Sequence, residues 1–143
     1  MPRVTLPVAV HVFLLREHTV LLARRVDTGF QDGSYGLPGG HLEPRETIFG
    51  AAMRECREEV GVELEAAALA VVGVTHYTSP TGDGIDFFFR AARWAGEPTT
   101  VTECDDLRWC HPDALPENTI PFVRRAVERH LLAGAWFDET GWR

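Results

Sequence analysis

Gly40-x5-Glu46-x7-Arg54-Glu55-Cys56-x-Glu58-Glu59-x-Gly61-Val62 sets three carboxylates on one helical surface directly after a pair of glycines. With residues 47–60 helical, Glu55, Glu58 and Glu59 stand at i, i+3 and i+4 and are neighbours. Like charges so spaced cost an isolated helix roughly 0.2–0.5 kcal/mol per pair. At ~5 Å their repulsion is about 3 kcal/mol at an effective dielectric of 20. A chain selected only for stability would carry a lysine there. Carboxylates crowded beside backbone carbonyls are what a hard divalent cation binds: magnesium takes oxygen ligands, keeps several waters and bridges carboxylates to substrate phosphates.

Working outward, Leu37-Pro38-Gly39-Gly40 predicts a tight turn in which glycine permits close backbone approach. The helix is expected from about Thr47 to Val60, stopped by Gly61 in the left-handed conformation. Phe49, Met53, Cys56 and Val60 form its apolar stripe, and the three acids lie about a quarter turn away. Before it, Val4–Leu15 reads as a strand with Val20–Arg24 as its hairpin partner, and Asp27–Gly36 as a loop. After it come two strands, Ala68–His76 and Ile85–Trp94, joined by a turn over Ser79–Gly84. The run Asp86-Phe87-Phe88-Phe89 is too apolar for an exposed edge and predicts burial on both faces. Leu107–Cys110 reads as the last short strand, Asp113–Pro116 as a turn, and Pro121–Leu132 as a second helix with Phe122, Val123, Ala126, Val127, His130 and Leu131 inside. Residues 133–143 pack either on the body or on a second subunit. Strands on both sides of the first helix and a closing helix imply an α/β sandwich.

The 143 residues, 45% of them apolar, suit a single domain spanning 1–143 with a real core. No run approaches the ~20 apolar residues that cross a bilayer, and no leader pattern is present, so the expectation is a cytoplasmic protein without membrane contact. Cys56, Cys104 and Cys110 form neither disulfide nor zinc spacing. A net charge of −7 disfavours nonspecific nucleic-acid binding, which needs Lys and Arg on phosphates. It would also repel a phosphorylated substrate, unless metal ions reverse the field locally.

The spacing resembles the signature of the Nudix hydrolases, GX5EX7REUXEEXGU with U a bulky aliphatic residue. Gly40, Glu46, Arg54, Glu55, Glu58, Glu59 and Gly61 all match it. Val62 fits the last U position, whereas Cys56 departs from the usual Ile, Leu or Val and acts as a small buried hydrophobe. The likeness extends to Leu37-Pro38-Gly39-Gly40, Trp109 and Leu115-Pro116. It implies an α/β/α sandwich with a mixed central sheet, and water attacking a phosphorus of a nucleoside diphosphate derivative with Mg2+, or Mn2+ in its place, as cofactor.

The resemblance makes Glu58 and Glu59 metal ligands, with the carbonyl of Gly39 or Gly40 beside them. Glu55 is either a further ligand or the base that takes a proton from water. Arg54 orients a glutamate. Glu46 lies at the helix start, where the dipole alone favours an acid, and is also a catalytic candidate. Outside the signature, Glu103, six residues before Trp109, is the expected further metal ligand, with Glu97 and Asp86 competing. Arg24 and Arg25 could reach phosphate. Tyr35 and Phe87, with Phe30 and Trp109 as alternatives, could stack a base. His76 and His111 are expected to be structural. The short chain is similar to MutT-type enzymes, which implies an NTP or dNTP substrate, oxidised purines included, split to monophosphate and pyrophosphate. ADP-ribose, nucleotide sugars and dinucleoside polyphosphates are the alternatives within the class. A nucleotide-binding regulatory module and an isoprenoid diphosphate isomerase are the alternatives outside it. Either a monomer or a homodimer is compatible with the chain.

Overall fold

A computed structural model describes residues 1–142. Eight strands form a mixed sheet: β1 (Val8–Arg16), β2 (Thr19–Arg25), β3 (Tyr35–Gly36), β4 (Gly39–His41), β5 (Ala70–Ser79), β6 (Gly82–Ala91), β7 (Cys104–Cys110) and β8 (Phe137–Thr140). The main path runs β3-β2-β1-β6-β5-β8, with β4 paired to β1 and β7 to β2. Strand β6 lies parallel to β1 along Val8–Leu14, and β5 is antiparallel to β6.

Two helical layers cover the sheet because side chains alternate along each strand. Val10, Val12 and Leu14 of β1, with Phe89 and Ala91 of β6, pack beneath the helix α1 (Ile48–Val60). Phe13 and Phe88 face the opposite way, onto α2 (Pro121–Ala126) and its π-helical continuation Val127–Leu132. Phe88 and Phe89 are 1% and 0% exposed, which bears out the expected two-sided burial of this strand. The α/β/α sandwich is therefore observed.

Helix α1 starts where Thr47 Oγ1 accepts from the Gly50 amide at 2.9 Å, an N-cap. It ends at Gly61 with φ 72°, the left-handed cap expected of glycine. Its inner face is Ala51, Ala52, Cys56 and Val60. That corrects the expected stripe at one end: Phe49 is 37% exposed and touches Phe89 only by its edge, at 5.0 Å. The two alanines let the helix lie close to the sheet, a closeness a Phe could not share.

Other boundaries also move. Strand β1 begins at Val8 rather than Val4. Gly39-Gly40 forms no tight turn but the short strand β4, antiparallel to Val10 and His11. Leu107–Cys110 is the end of β7, which starts at Cys104, and it is not the last strand. Residues 137–140 add β8 to the body, parallel to β5 from Val74 to Tyr77. No helix among the described residues is long and apolar enough to cross a membrane.

Candidate active site

The acids converge around one arginine. Arg54 Nε donates to Glu46 Oε2 at 2.6 Å and Nη2 to Glu46 Oε1 at 2.9 Å. Nη1 donates to Glu55 Oε1 at 2.8 Å and to Glu58 Oε1 at 2.9 Å, and Nη2 also reaches the His41 carbonyl at 3.2 Å. A planar fork with five donors can serve three carboxylates and a carbonyl through five bonds, two more than the three donors of a lysine allow. The Arg54, Glu46 and Glu55 side chains are only 14%, 15% and 12% exposed. Arg54 holds the Glu46 carboxyl below its ordinary range through their hydrogen bonds. In return these acids push the guanidinium pKa upward, Glu46 first.

Glu59 is different. It has no ion pair with Arg54, lies against Glu55, and takes a hydrogen bond from the Gly39 amide at 3.2 Å. Burial, then the hydrogen bond and charge of Glu55, push its carboxyl up to about 9, with Glu103 adding to the effect. A half-buried acid beside a second acid cannot hold its charge cheaply without a cation.

The glycines make this approach possible. A Cβ on Gly40 would sit 2.6 Å from Glu55 Oε1, and one on Gly39 would collide with the Val10 carbonyl oxygen. Gly40 therefore leaves room for the Glu55 carboxylate of α1 beside the β4 backbone, and Gly39 lets β4 lie against β1.

All of these groups but Glu46, which is turned into its pairing with Arg54, line one open cavity of about 1060 Å³, together with Glu103 and Arg25, large enough for a small organic ligand. Glu103 is carried by a backbone at φ 62°, a conformation costly for a residue with a side chain, while its carbonyl accepts from the Val26 amide at 3.1 Å. A register shift between Arg24 and Arg25 bends β2 at its end. Arg25 lines the cavity, its Nε donating to the Phe30 carbonyl at 2.7 Å.

Several expected residues lie elsewhere. Arg24 does not line the cavity and pairs with Asp105 at 2.7 Å. Tyr35 is 1% exposed, hydrogen-bonded to Asp106 and covered by Arg108 at 4.9 Å, so its ring is closed to a base. Phe87 packs on the α1 side of the sheet, one residue out of phase with the cavity. Glu97 pairs with Arg16 at 3.0 Å, outside the cavity. Trp109 stacks on Trp94 with Arg16 over both rings.

The structure also adds residues that the sequence reading did not assign to the site, beside Asp86, which it named only as a competing metal ligand. His11, Asp86, Phe122, Arg125 and Asp138 all line the cavity. Alternation from His11 along β1 and from Phe88 along β6 was the available signal for the first two. Asp138 lies in the C-terminal segment left unplaced.

The residues suit a divalent cation on two observations: Glu59, set against Glu55 with no ion pair of its own among the described residues, and the backbone free of side chains at Gly39 and Gly40. Among the described residues no three His, Cys, Asp or Glu side chains form a finished metal cage. Arg54 instead draws Glu46, Glu55 and Glu58 to itself, and a magnesium site that keeps several waters needs no closed cage.

A family model described as NUDIX domain matches residues 5–131. The chain belongs to the Nudix family. It is 34% identical over 122 residues to the NAD-capped RNA hydrolase NudC of Pseudomonas aeruginosa strain PAO1, covering 85% of this chain and 41% of that one. It therefore spans less than half the length of the NudC relatives it matches. Over 117 residues it is 32% identical to a putative 8-oxo-dGTP diphosphatase of Bacillus subtilis strain 168, covering 81% and 73% of the two chains. The crystal structure of a MutT Nudix hydrolase from Burkholderia pseudomallei superposes with a TM-score of 0.78 at 26% identity, covering 87% of this chain and 97% of that one.

Proposed function

We propose that this Nudix protein is a divalent-metal-dependent pyrophosphohydrolase of nucleoside triphosphates, splitting an NTP or dNTP to monophosphate and pyrophosphate. The observation that carries the reading is the half-buried Glu55–Glu59 pair against the Gly39 amide, at the wall of a cavity lined by further acids and by Arg25. In this reading Glu58, Glu59, Glu103 and the carbonyls of Gly39 and Gly40 hold Mg2+, or Mn2+ in its place. The ion, when bound, supplies neutralisation of diphosphate charge, the chief need of phosphoryl transfer.

The chain's own residues do the rest. Water forms a bond to phosphorus, the bond to the leaving pyrophosphate oxygen breaks, and the water's proton passes to a carboxylate. Glu55 suits that role because Arg54 fixes one of its oxygens at 2.8 Å. Arg54 is a positioning residue that sets Glu46, Glu55 and Glu58 in one frame. Arg25 is placed to bind substrate phosphate once it leaves the Phe30 carbonyl.

The substrate class draws support from the similarity to the putative 8-oxo-dGTP diphosphatase, of which this chain covers nearly three quarters. The test is a panel of triphosphates, ADP-ribose, a nucleotide sugar, a dinucleoside polyphosphate and NAD-capped RNA, with Mg2+ and with Mn2+, products read by phosphorus NMR. Pyrophosphate from a triphosphate as the best substrate is the expected result. A higher kcat/KM for any of the other substrates would overturn the substrate class, and no hydrolysis at all would leave a binding module.

A further inference from the structure

On the α2 side of the sheet the same cavity holds a buried carboxylate that the metal-binding reading does not use. Asp86 is 7% exposed and lines the cavity wall. Its Oδ1 accepts a hydrogen bond from His11 Nε2 at 3.2 Å. Among the described residues no hydrogen bond reaches Oδ2. The parallel register sets Ala9 beside Asp86 and His11 beside Phe88, so both polar groups point to one face. His11 is itself wedged between Phe88, stacked at 5.0 Å, and Phe122, tilted at 5.1 Å. A ring held on two sides gives Asp86 a rigid anchor and limits its rotation.

A carboxylate can only accept hydrogen bonds. Buried at a cavity wall with one oxygen unclaimed, it favours a ligand with a donor and rejects one with an acceptor there, because a buried unpaired acceptor is costly. Guanine presents N1–H and the N2 amino group side by side. Adenine presents N1, an acceptor, at the corresponding position. The phosphate end of the ligand would lie toward Arg25 and the acids of α1, along the same cavity.

We propose that Asp86, oriented by His11, is the base-selecting residue of this site and takes the N1–H and N2 amino edge of a guanine nucleotide. This rests on the nucleotide reading above and deepens it. The edge is shared by dGTP and 8-oxo-dGTP, so Asp86 serves both, and their ratio is set by contacts to the other edge of the base.

The test compares kcat/KM for dGTP, 8-oxo-dGTP, dITP and dATP in the parent and in Asp86→Asn. The asparagine oxygen can still accept from His11, which turns an amide donor toward the cavity. The better guanine substrate is expected to exceed dATP by about tenfold or more, with dITP, lacking the N2 amino group, between them. In D86N that preference should collapse by about tenfold or invert, the ratio of dGTP to 8-oxo-dGTP staying the same. Whichever guanine form has the higher kcat/KM names the source. A parent enzyme that treats guanine and adenine within about threefold, or a folded D86N that keeps the parent's preference, overturns the proposal. Should no triphosphate be cleaved, the triphosphate reading fails separately. Calorimetric binding of dGMP against dAMP then decides this one, tighter dGMP supporting it and equal affinity refuting it.

Discussion

Arg54 makes the signature a structural unit before it becomes a chemical one. Five hydrogen bonds from one guanidinium organise Glu46, Glu55, Glu58 and the His41 carbonyl. Arg54→Lys keeps the charge but loses the fork, so turnover should fall by about 10–100-fold with little change in melting temperature, as when a partner of a metal ligand is lost. Steady-state kinetics beside a thermal melt checks this. Glu59 gives a second residue-scale expectation. Its folded pKa, about 9, stands above the ordinary 4.5, so between those values the folded protein keeps a proton that the unfolded chain has lost. Stability without metal should therefore fall as pH rises through that window. Melts of chelator-treated protein from pH 5 to pH 9 should show the decline, and Glu59→Gln should flatten it.

At the scale of elements, α1 was the most legible part of the chain, because the i, i+3, i+4 acids and the glycine stop both follow from helix geometry. Its inner face was less so. Large apolar residues were favoured over Ala51 and Ala52, yet close packing on the sheet selects the small ones. The three consecutive phenylalanines of β6 hid which face each takes, since a strand buried on both sides loses its alternation. That is why Phe87 was placed in the site while Asp86 and His11 were not joined. Tyr35 failed for a related reason: an aromatic ring can fill a core as readily as a cavity. Two substitutions test the packing. Cys56→Lys puts an unpaired charge at a position 0% exposed and should cost about 3 kcal/mol or more in urea unfolding. Gly39→Ala meets the Val10 carbonyl and should cost about 1–3 kcal/mol. An unchanged midpoint in either would contradict the packing described.

Over the whole molecule, the C-terminal segment belongs to the site as well as to the fold. Strand β8 carries Asp138, 5% exposed, into a paired hydrogen bond with Arg125 at 2.7 and 2.9 Å, and Arg129 lies at 3.6 Å. Sequence reading could not place it, because a short strand flanked by glycine and tryptophan has no period long enough to read. Asp138→Ala leaves Arg125, at the cavity wall, and Arg129, one turn further along the same helix, without their shared carboxylate. It should lower stability by about 1–3 kcal/mol and raise KM more than it lowers kcat. Equal losses in both would place Asp138 outside substrate binding.

The charge pattern unites these scales. A chain of net charge −7 concentrates acids where the proposed function has a polyanion bind, a conflict that a divalent cation would resolve. The most direct measurement is Mg2+-dependent triphosphate turnover by Glu58→Gln and Glu59→Gln beside the parent. Loss of about a hundredfold or more in both, with melting temperature kept or raised, is the expected result. Turnover within about twofold of the parent in either folded variant would contradict the assignment of these acids to a metal.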